Sequence, residues 1–220
     1  MIEVLPTTRA EVVPWIINIH YAHREPPISH AFGAYRGDEI IGVITYGVPS
    51  SAPLRRGVCG DEWKDCVLEL NRLVCLPEKN LASILISRSI KQLPKPKIII
   101  SFADIAQGHV GYVYQATNWI YTGLSAKRTD WSLGGKSHGA TVADMSRGHE
   151  NRAEYMRGKY GDSFSLKERS RKHRYIYIHA SRQEKRKIGK QLKYQVQPYP
   201  KGESARYDIE SYAHQARLAI

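Results

Sequence analysis

The chain has 220 residues, 42% of them hydrophobic and 10% aromatic, and a net charge of +12, which is enough apolar material for one packed domain. It holds no apolar run of about 18 residues, so no membrane span is expected, and the acidic, polar opening MIEVLPTTRAEVV does not read as a secretory leader. Cys59, Cys66 and Cys75 are odd in number and lack zinc-ligand spacing, so they read as reduced thiols of a cytoplasmic protein and give no metal-ligand set.

The charge is unevenly placed. Residues 145–193 hold 15 Lys and Arg against 5 Asp and Glu, a net of +10. Such a region implies an anionic partner, and with Tyr175, Tyr177 and Tyr194 interleaved it points to nucleic acid over a merely solvated surface. The candidate DNA contacts are Arg169, Arg171, Lys172 and Arg174 in one run and Lys185, Arg186 and Lys187 in the next.

In chain order, Thr8 and Glu11 have capping-box spacing. Trp15, Ile16, Ile19, His20 and His23 then share one face of a helix predicted to run towards Pro26. Strands at Ala31–Arg36 and Ile40–Tyr46 make a hairpin around Gly37-Asp38-Glu39. Residues 49–61, rich in Pro and Ser, read as a loop. Val67–Val74 is a strand whose alternation places Glu69 and Asn71 on one face and Leu70 and Arg72 on the other. Its buried polar residues suggest the edge of an active site. Asn80 is a good N-cap for a helix from Leu81 to Leu93. The turn before that helix, Lys79, Asn80, Leu81, Ala82 and Ser83, is a natural phosphate site, although it lacks a glycine-rich signature.

Ile98-Ile99-Ile100 then reads as a strand buried on both faces. With the preceding strand and helix it forms a βαβ unit with parallel strands. Asp104 sits at its C-terminal end. Val110, Val113, Tyr114 and Thr117 follow at helical spacing, Asn118 is a left-handed stop, and Trp119-Ile120-Tyr121 starts another strand. Residues 132–170 show no clear pattern: LGGKSHG is turn-rich, and Met145–Gly161 reads as a basic helix lying on DNA or a flexible arm. Tyr175–Ile178 is an alternating strand, Arg182–Lys193 is partly helical, Tyr194–Tyr199 is extended and Ser204–Ile220 reads as a loose helix. One division fits this order: a catalytic core at 1–131, and at 132–220 a basic insertion with C-terminal strands that complete the same domain.

Strand, helix, strand, with an acid ending the first strand and a tyrosine in the helix, resembles the closing half of a GNAT-type acetyltransferase site. FADIAQGHVGYVYQATNWIYTGLSAKRTDW resembles the phage Mom proteins more closely. The likeness extends through IHYAHREPP, HAFGAYRGDEIIGVITYG, LELNRLV, KHRYIYI and PYPKG. It implies a GNAT-like α/β fold with a mixed, mostly antiparallel sheet and a splayed central parallel pair. It also implies a phage or prophage enzyme that adds a carbamoylmethyl group to the exocyclic amine of adenine in DNA, shielding that DNA from host restriction. The active-site positions implied are His20, Tyr21, Arg72, Asp104 and Tyr114, with acetyl-CoA and bound iron as proposed cofactors.

The adenine amine is a poor nucleophile, so a base such as Asp104 would take its proton while Tyr114 protonates the leaving group or holds an oxyanion. A glycyl group is an isomer of the carbamoylmethyl product, which makes activated glycine an alternative donor to acetyl-CoA. Iron, on the other route, would use His20, Asp104 or Tyr114 as ligands. The expected partner is double-stranded DNA with a flipped adenine, stacked on Trp131, Tyr112 or Tyr21; a homodimer stays open. On spacing alone, Asp104 as a helix cap and Tyr114 as a core residue are equally good readings. Two other functions remain: an ordinary N-acetyltransferase and a non-catalytic DNA-binding protein.

Overall fold

The computed structural model describes residues 1–135 and 139–202. Strand β1 (Glu3–Pro6) leads into α1 (Arg9–Asn18), which starts at the expected Thr8–Glu11 capping box. The helix ends at Asn18, short of the predicted run towards Pro26, so His20 and His23 lie in the loop that follows. β2 (His30–Arg36) and β3 (Glu39–Gly47) form the hairpin. The stretch read as a loop contains α2 (Ala52–Cys59), and a 3-10 turn at Asp61–Cys66 follows it. Its start signals are present in the sequence: Ser51 caps the helix and a proline stands in its first turn.

β4 (Val67–Cys75), α3 (Leu81–Gln92) and β5 (Lys97–Asp104) build the predicted βαβ unit, with β4 and β5 parallel. After a 3-10 turn at Ile105–Gln107 come α4 (Tyr112–Ala116) and β6 (Ile120–Leu124), separated by Asn118 at φ 60°. β7 (Arg128–Ser132) begins an insertion that holds α5 (Gly139–Asp144) and α6 (Arg152–Tyr160) and ends with β8 (Ser165–Arg169). β7 and β8 pair as a separate two-stranded sheet. Of the predicted basic helix over Met145–Gly161, only the part after Asn151 is α6, because Asn151 caps it there. β9 (Lys172–His179) returns to the main sheet, and α7 (Arg182–Lys190) starts at a capping box of Ser181 and Glu184. The predicted helix at Ser204–Ile220 lies outside the described residues.

The main sheet has the order β1-β2-β3-β4-β5-β9-β6, and among the described residues only β4 and β5 run parallel within it. The fold class is therefore the mixed, mostly antiparallel α/β arrangement expected. Ile98, Ile99 and Ile100 are fully buried. Ile99 packs with Leu68, Leu81 and Leu85, while Ile98 and Ile100 pack with Val67, Ile176 and Ile188. The triple isoleucine thus serves two core layers at once. Among the described residues no helix is long and apolar enough to cross a membrane.

One glycine fixes how the loop after α1 meets the sheet. A Cβ on Gly47, at the end of β3, would lie 1.9 Å from the Pro27 carbonyl oxygen. Gly47→Ala must push that loop away, and overpacking of this kind costs about 1–3 kcal/mol. Denaturant melts should show that loss, with faster hydrogen exchange over residues 20–27; unchanged stability and exchange would mean the loop does not depend on this contact.

Candidate active site

The parallel ladder holds for three rungs only: Val67–Ile98, Leu68–Ile99 and Glu69–Ile100. Beyond them β5 stays paired with β9 as far as Asp104–Lys172, and β4 stays paired with β3 as far as Cys75–Gly42. The strands part after Glu69, and backbone groups facing the gap need other partners. Ser101 supplies one. Its hydroxyl donates to the Leu70 carbonyl at 2.9 Å and lies 2.8 Å from the Tyr114 hydroxyl. Ser101 has one proton and two neighbours, so this chain has two settings. In one, Ser101 donates to Leu70 and Tyr114 donates to Ser101. In the other, Ser101 donates to Tyr114, whose own proton then points into the gap. Tyr114 is 8% exposed and packs on Trp119 and Tyr175. Burial pushes its phenol up to about 12, so at neutral pH it is a proton donor and not a base.

β4 bulges at its centre. Leu70 pairs with Tyr46 and Arg72 with Thr45, which leaves Asn71 as the extra residue. The alternation read from the sequence put Arg72 opposite Glu69; the bulge reverses it. Leu70 and Leu73 pack in the same core layer, and Arg72 falls on the side of Glu69, as the strongest positive charge acting on it. Asn71 and Arg72 then clamp the loop after α1. Asn71 Nδ2 donates to the Pro27 carbonyl at 2.8 Å, and Arg72 donates to the Arg24 carbonyl through Nη2 at 2.8 Å and Nε at 3.2 Å.

The clamped loop carries His20 and Tyr21, whose rings stack at 4.3 Å. His20 Nδ1 accepts the Ala22 backbone N–H at 3.1 Å, which places the proton of the neutral ring on Nε2. Burial, followed by the charge of Arg72, pulls the imidazole down to about 3. His20 is therefore a neutral N–H donor at physiological pH.

Two cavities meet at this point. The first, about 560 Å³, lies between the parted strands and is lined by Leu70, Ser101, Ala103, Tyr114 and Ala82 of α3. The second, about 870 Å³, is lined by Glu69, Asp104, Trp131, Lys167, Arg169 and Lys172 among others. Tyr21, Asn71 and Arg72 line both. Both volumes suit a ligand, and the shared wall lets two reactants approach each other from separate sides. Tyr112, a stacking candidate beside Trp131 and Tyr21, lines the first cavity, with its hydroxyl bonded to the Gly202 carbonyl.

Asp104 is already committed. Oδ1 accepts from the Ser170 hydroxyl at 2.5 Å and from the Ala106 N–H at 3.0 Å, and Oδ2 faces Lys172 Nζ at 3.0 Å. Burial alone would raise its pKa, but these partners outweigh it and hold the carboxyl below its ordinary range. Asp104 caps the following 3-10 turn and fixes Lys172. A carboxylate stabilised in this way is a poor proton acceptor.

Residues 1–201 match the model of the Mom protein family. The chain belongs to that family. The methylcarbamoylase Mom of Escherichia phage Mu is 31% identical over 193 residues, covering 83% of this chain and 76% of the phage protein. Among solved structures, an N-acetyltransferase of Staphylococcus aureus Mu50 is 11% identical over 81% of this chain and 98% of its own, with a TM-score of 0.45. Arabidopsis thaliana NAA60 in complex with acetyl-CoA is 12% identical, with the same coverage and TM-score.

The iron implied for Mom proteins finds no fitting donor set in this member. Among the described residues no three His, Cys, Asp or Glu side chains come together. His20 presents a protonated Nε2, Asp104 has both oxygens engaged and Tyr114 keeps its proton. An acyl donor is better served. Leu81 N–H donates to Glu78 and Ile84 N–H to Asn80, so among the described residues the amides of Ala82 and Ser83 are open to an anion at the start of α3. Lys79 is exposed beside them, whereas Leu81 is fully buried. Asn80 is at the N-cap but left-handed, φ 64°, and its side chain makes no capping bond; the Ser83 hydroxyl donates to its carbonyl instead.

The residues of the basic run differ in their contacts. Arg174 donates to the Thr122 hydroxyl and carbonyl, both at 2.9 Å, and lies over the Tyr194 ring at 3.4 Å. Arg171 donates to the Ser125 carbonyl at 2.7 Å, and Lys172 holds Asp104. These three are tied into the fold by those bonds, and Arg169 pairs with Asp130 at 3.8 Å. Arg169 is exposed on β8 and lines the second cavity. On α7, Lys185 lies over Tyr177, Lys187 pairs with Glu62, and Arg186 is exposed. Ser101 and Ser170 carried no signal in the sequence, because a lone serine is uninformative until its partners are known.

The His20 shift has a consequence for stability. Its folded pKa, about 3, lies below the ordinary 6.5, so as pH falls below 6.5 the unfolded chain takes up a proton that the folded chain refuses. The contribution is complete above 6.5 and is lost as pH falls towards 3. Thermal melts from about pH 7 to about pH 4 should fall more steeply for the wild type than for His20→Gln; parallel curves would place the charged imidazole in solvent.

Proposed function

We propose that this chain transfers a carbamoylmethyl group to the exocyclic amine of adenine in DNA, as a phage or prophage modification that protects DNA from restriction. The observation that carries this reading is the meeting of two cavities where β4 and β5 part. One cavity reaches the open amides of α3, and the other has a cationic rim. The name of the phage Mu relative, a methylcarbamoylase, supports the same reading.

Adenine in a duplex is out of reach of either cavity, so the base is flipped. Trp131 and Tyr21 offer it ring faces in the second cavity, and Lys167 and Arg169 on exposed β8 meet the flanking phosphates. The donor lies in the first cavity with its anionic part at Ala82 and Ser83. Tyr114, in the outward setting, delivers a proton to the leaving group. The Nε2–H of His20 faces developing oxyanion charge. Arg72 positions His20 and Tyr21 through the loop it clamps.

The test is mass spectrometry of nucleosides from the DNA of cells expressing the chain. Carbamoylmethyl-adenine should appear with the wild type and fall by about 10²-fold or more with Tyr114→Phe, a substitution that keeps the ring packing. Unmodified adenine with the wild type would overturn the reading. Feeding glycine labelled in carbon and nitrogen assigns the donor. Activated glycine labels both side-chain carbons and the nitrogen that joins them to the ring, the carboxamide nitrogen coming from adenine, whereas acetyl-CoA brings only its two carbons.

DNA binding should depend steeply on salt. Replacing Lys167 and Arg169 by Gln removes two phosphate contacts and should flatten the log–log salt slope by about 1.8. An unchanged slope would move the DNA to another surface.

A further inference from the structure

We propose that Glu69 is the general base of this site, taking the proton that the adenine amine loses as its nitrogen bonds to the incoming carbon. This inference rests on the reading of the site as adenine-modifying. Glu69 occupies the last rung before the strands part, paired with Ile100 on β5 and Gly47 on β3. It lines the second cavity beside the shared wall of Tyr21 and Arg72. Its neighbours along and across the sheet, Val67 and Ile100, belong to an apolar core layer.

Among the described residues no donor hydrogen-bonds the Glu69 carboxylate, whereas Asp104 in the same cavity has three donors. Burial raises the pKa of Glu69, and Arg72, Lys172 and Arg169 oppose that rise without cancelling it. A carboxylate with raised proton affinity and free lone pairs is what proton abstraction requires. Where two carboxylates share a site and their environments push their proton affinities apart, the roles divide the same way: here Glu69 accepts and Asp104 anchors.

The electrons balance as follows. The amine lone pair forms the N–C bond to the carbonyl carbon of an activated glycine, an aminoacyl ester. The bond from that carbon to the leaving group breaks, and its pair departs with the leaving group, which takes a proton from Tyr114. The N–H pair stays on nitrogen as the proton passes to Glu69. The glycyl amide so formed becomes the carbamoylmethyl product when the glycine amine attacks C6 of the ring and the C6–N bond to the amide breaks with its pair, the proton lost by the attacking amine going to the expelled amide nitrogen. Solvent exchange returns one proton to Tyr114 and removes one from Glu69, so no oxidant or reductant is needed.

The experiment compares cells expressing wild type, Glu69→Gln and Glu69→Asp, with modified adenine read by mass spectrometry. DNA affinity and melting temperature are measured on the purified proteins. Glu69→Gln should lose about 10²-fold or more of the product while keeping its DNA affinity within a few-fold, and Glu69→Asp should retain more product than Glu69→Gln. Product from Glu69→Gln near the wild-type level overturns the assignment. Should Glu69→Gln fail to fold, Glu69→Asp decides: it keeps the charge but draws the carboxylate back, so a wild-type product level from a folded Asp variant also overturns the assignment. Lack of product from the wild type is a different outcome, because it removes the adenine-modifying reading on which Glu69 depends.

Discussion

A parallel strand pair that separates after three rungs exposes backbone amides and carbonyls on both inner edges. Each such group left without a partner in the interior costs about 1–3 kcal/mol. The chain tolerates this because neither strand relies on the other. β5 is held along its full length by β9, β4 is held by β3 from Glu69 to Cys75, and the triple isoleucine anchors β5 in two core layers. Ser101 then satisfies Leu70 within the gap and links it to Tyr114. The same hydroxyl that repairs the opened sheet orients the proposed proton donor, so the fold and the chemistry share one hydrogen-bond chain.

The bulge at Asn71 extends this arrangement to the opposite wall. Without the extra residue, Arg72 would point into the core layer of Leu70, where an unpaired guanidinium is prohibitive. With it, Arg72 and Asn71 together hold the carbonyls of Arg24 and Pro27. The loop that presents His20 and Tyr21 has no regular structure of its own, so its shape is imposed by three β-sheet residues, Gly47, Asn71 and Arg72. Removing any one of them should disturb the site without touching a reacting group.

Much of the scaffold was legible in the sequence. The hairpin, the βαβ unit, the doubly buried strand and the Asn118 stop each follow from local pattern, and the structure contains all four. What was illegible depends on pairing. No periodicity announces a bulge, so the faces of β4 after Asn71 were inverted. The insertion between β7 and β8 builds a small core from Val142, Met156 and Phe164, three apolar residues scattered over more than twenty positions. The basic run at the start of β9 was read as a nucleic-acid contact because charge was counted without register; Arg171, Lys172 and Arg174 also bond to Ser125, Asp104 and Thr122. Asp104 and Tyr114 were singled out by order along the chain, but order alone could not say which carboxylate would be held by hydrogen bonds.

That distinction also links DNA to the chemistry. Lys172 is committed to Asp104 at 3.0 Å, so its charge is largely spent, and it acts on Glu69 less strongly than Arg72 does. Arg169 is a third positive charge acting on Glu69, and it is exposed on the cavity rim. A DNA phosphate seated on Arg169 would neutralise part of the charge that holds the proton affinity of Glu69 down. The base would then strengthen as the duplex docks and water leaves the cavity, because burial disfavours its charged form further. In the free protein the same carboxylate is held in check by its cationic neighbours, which keeps a buried, unbonded glutamate affordable until a substrate arrives.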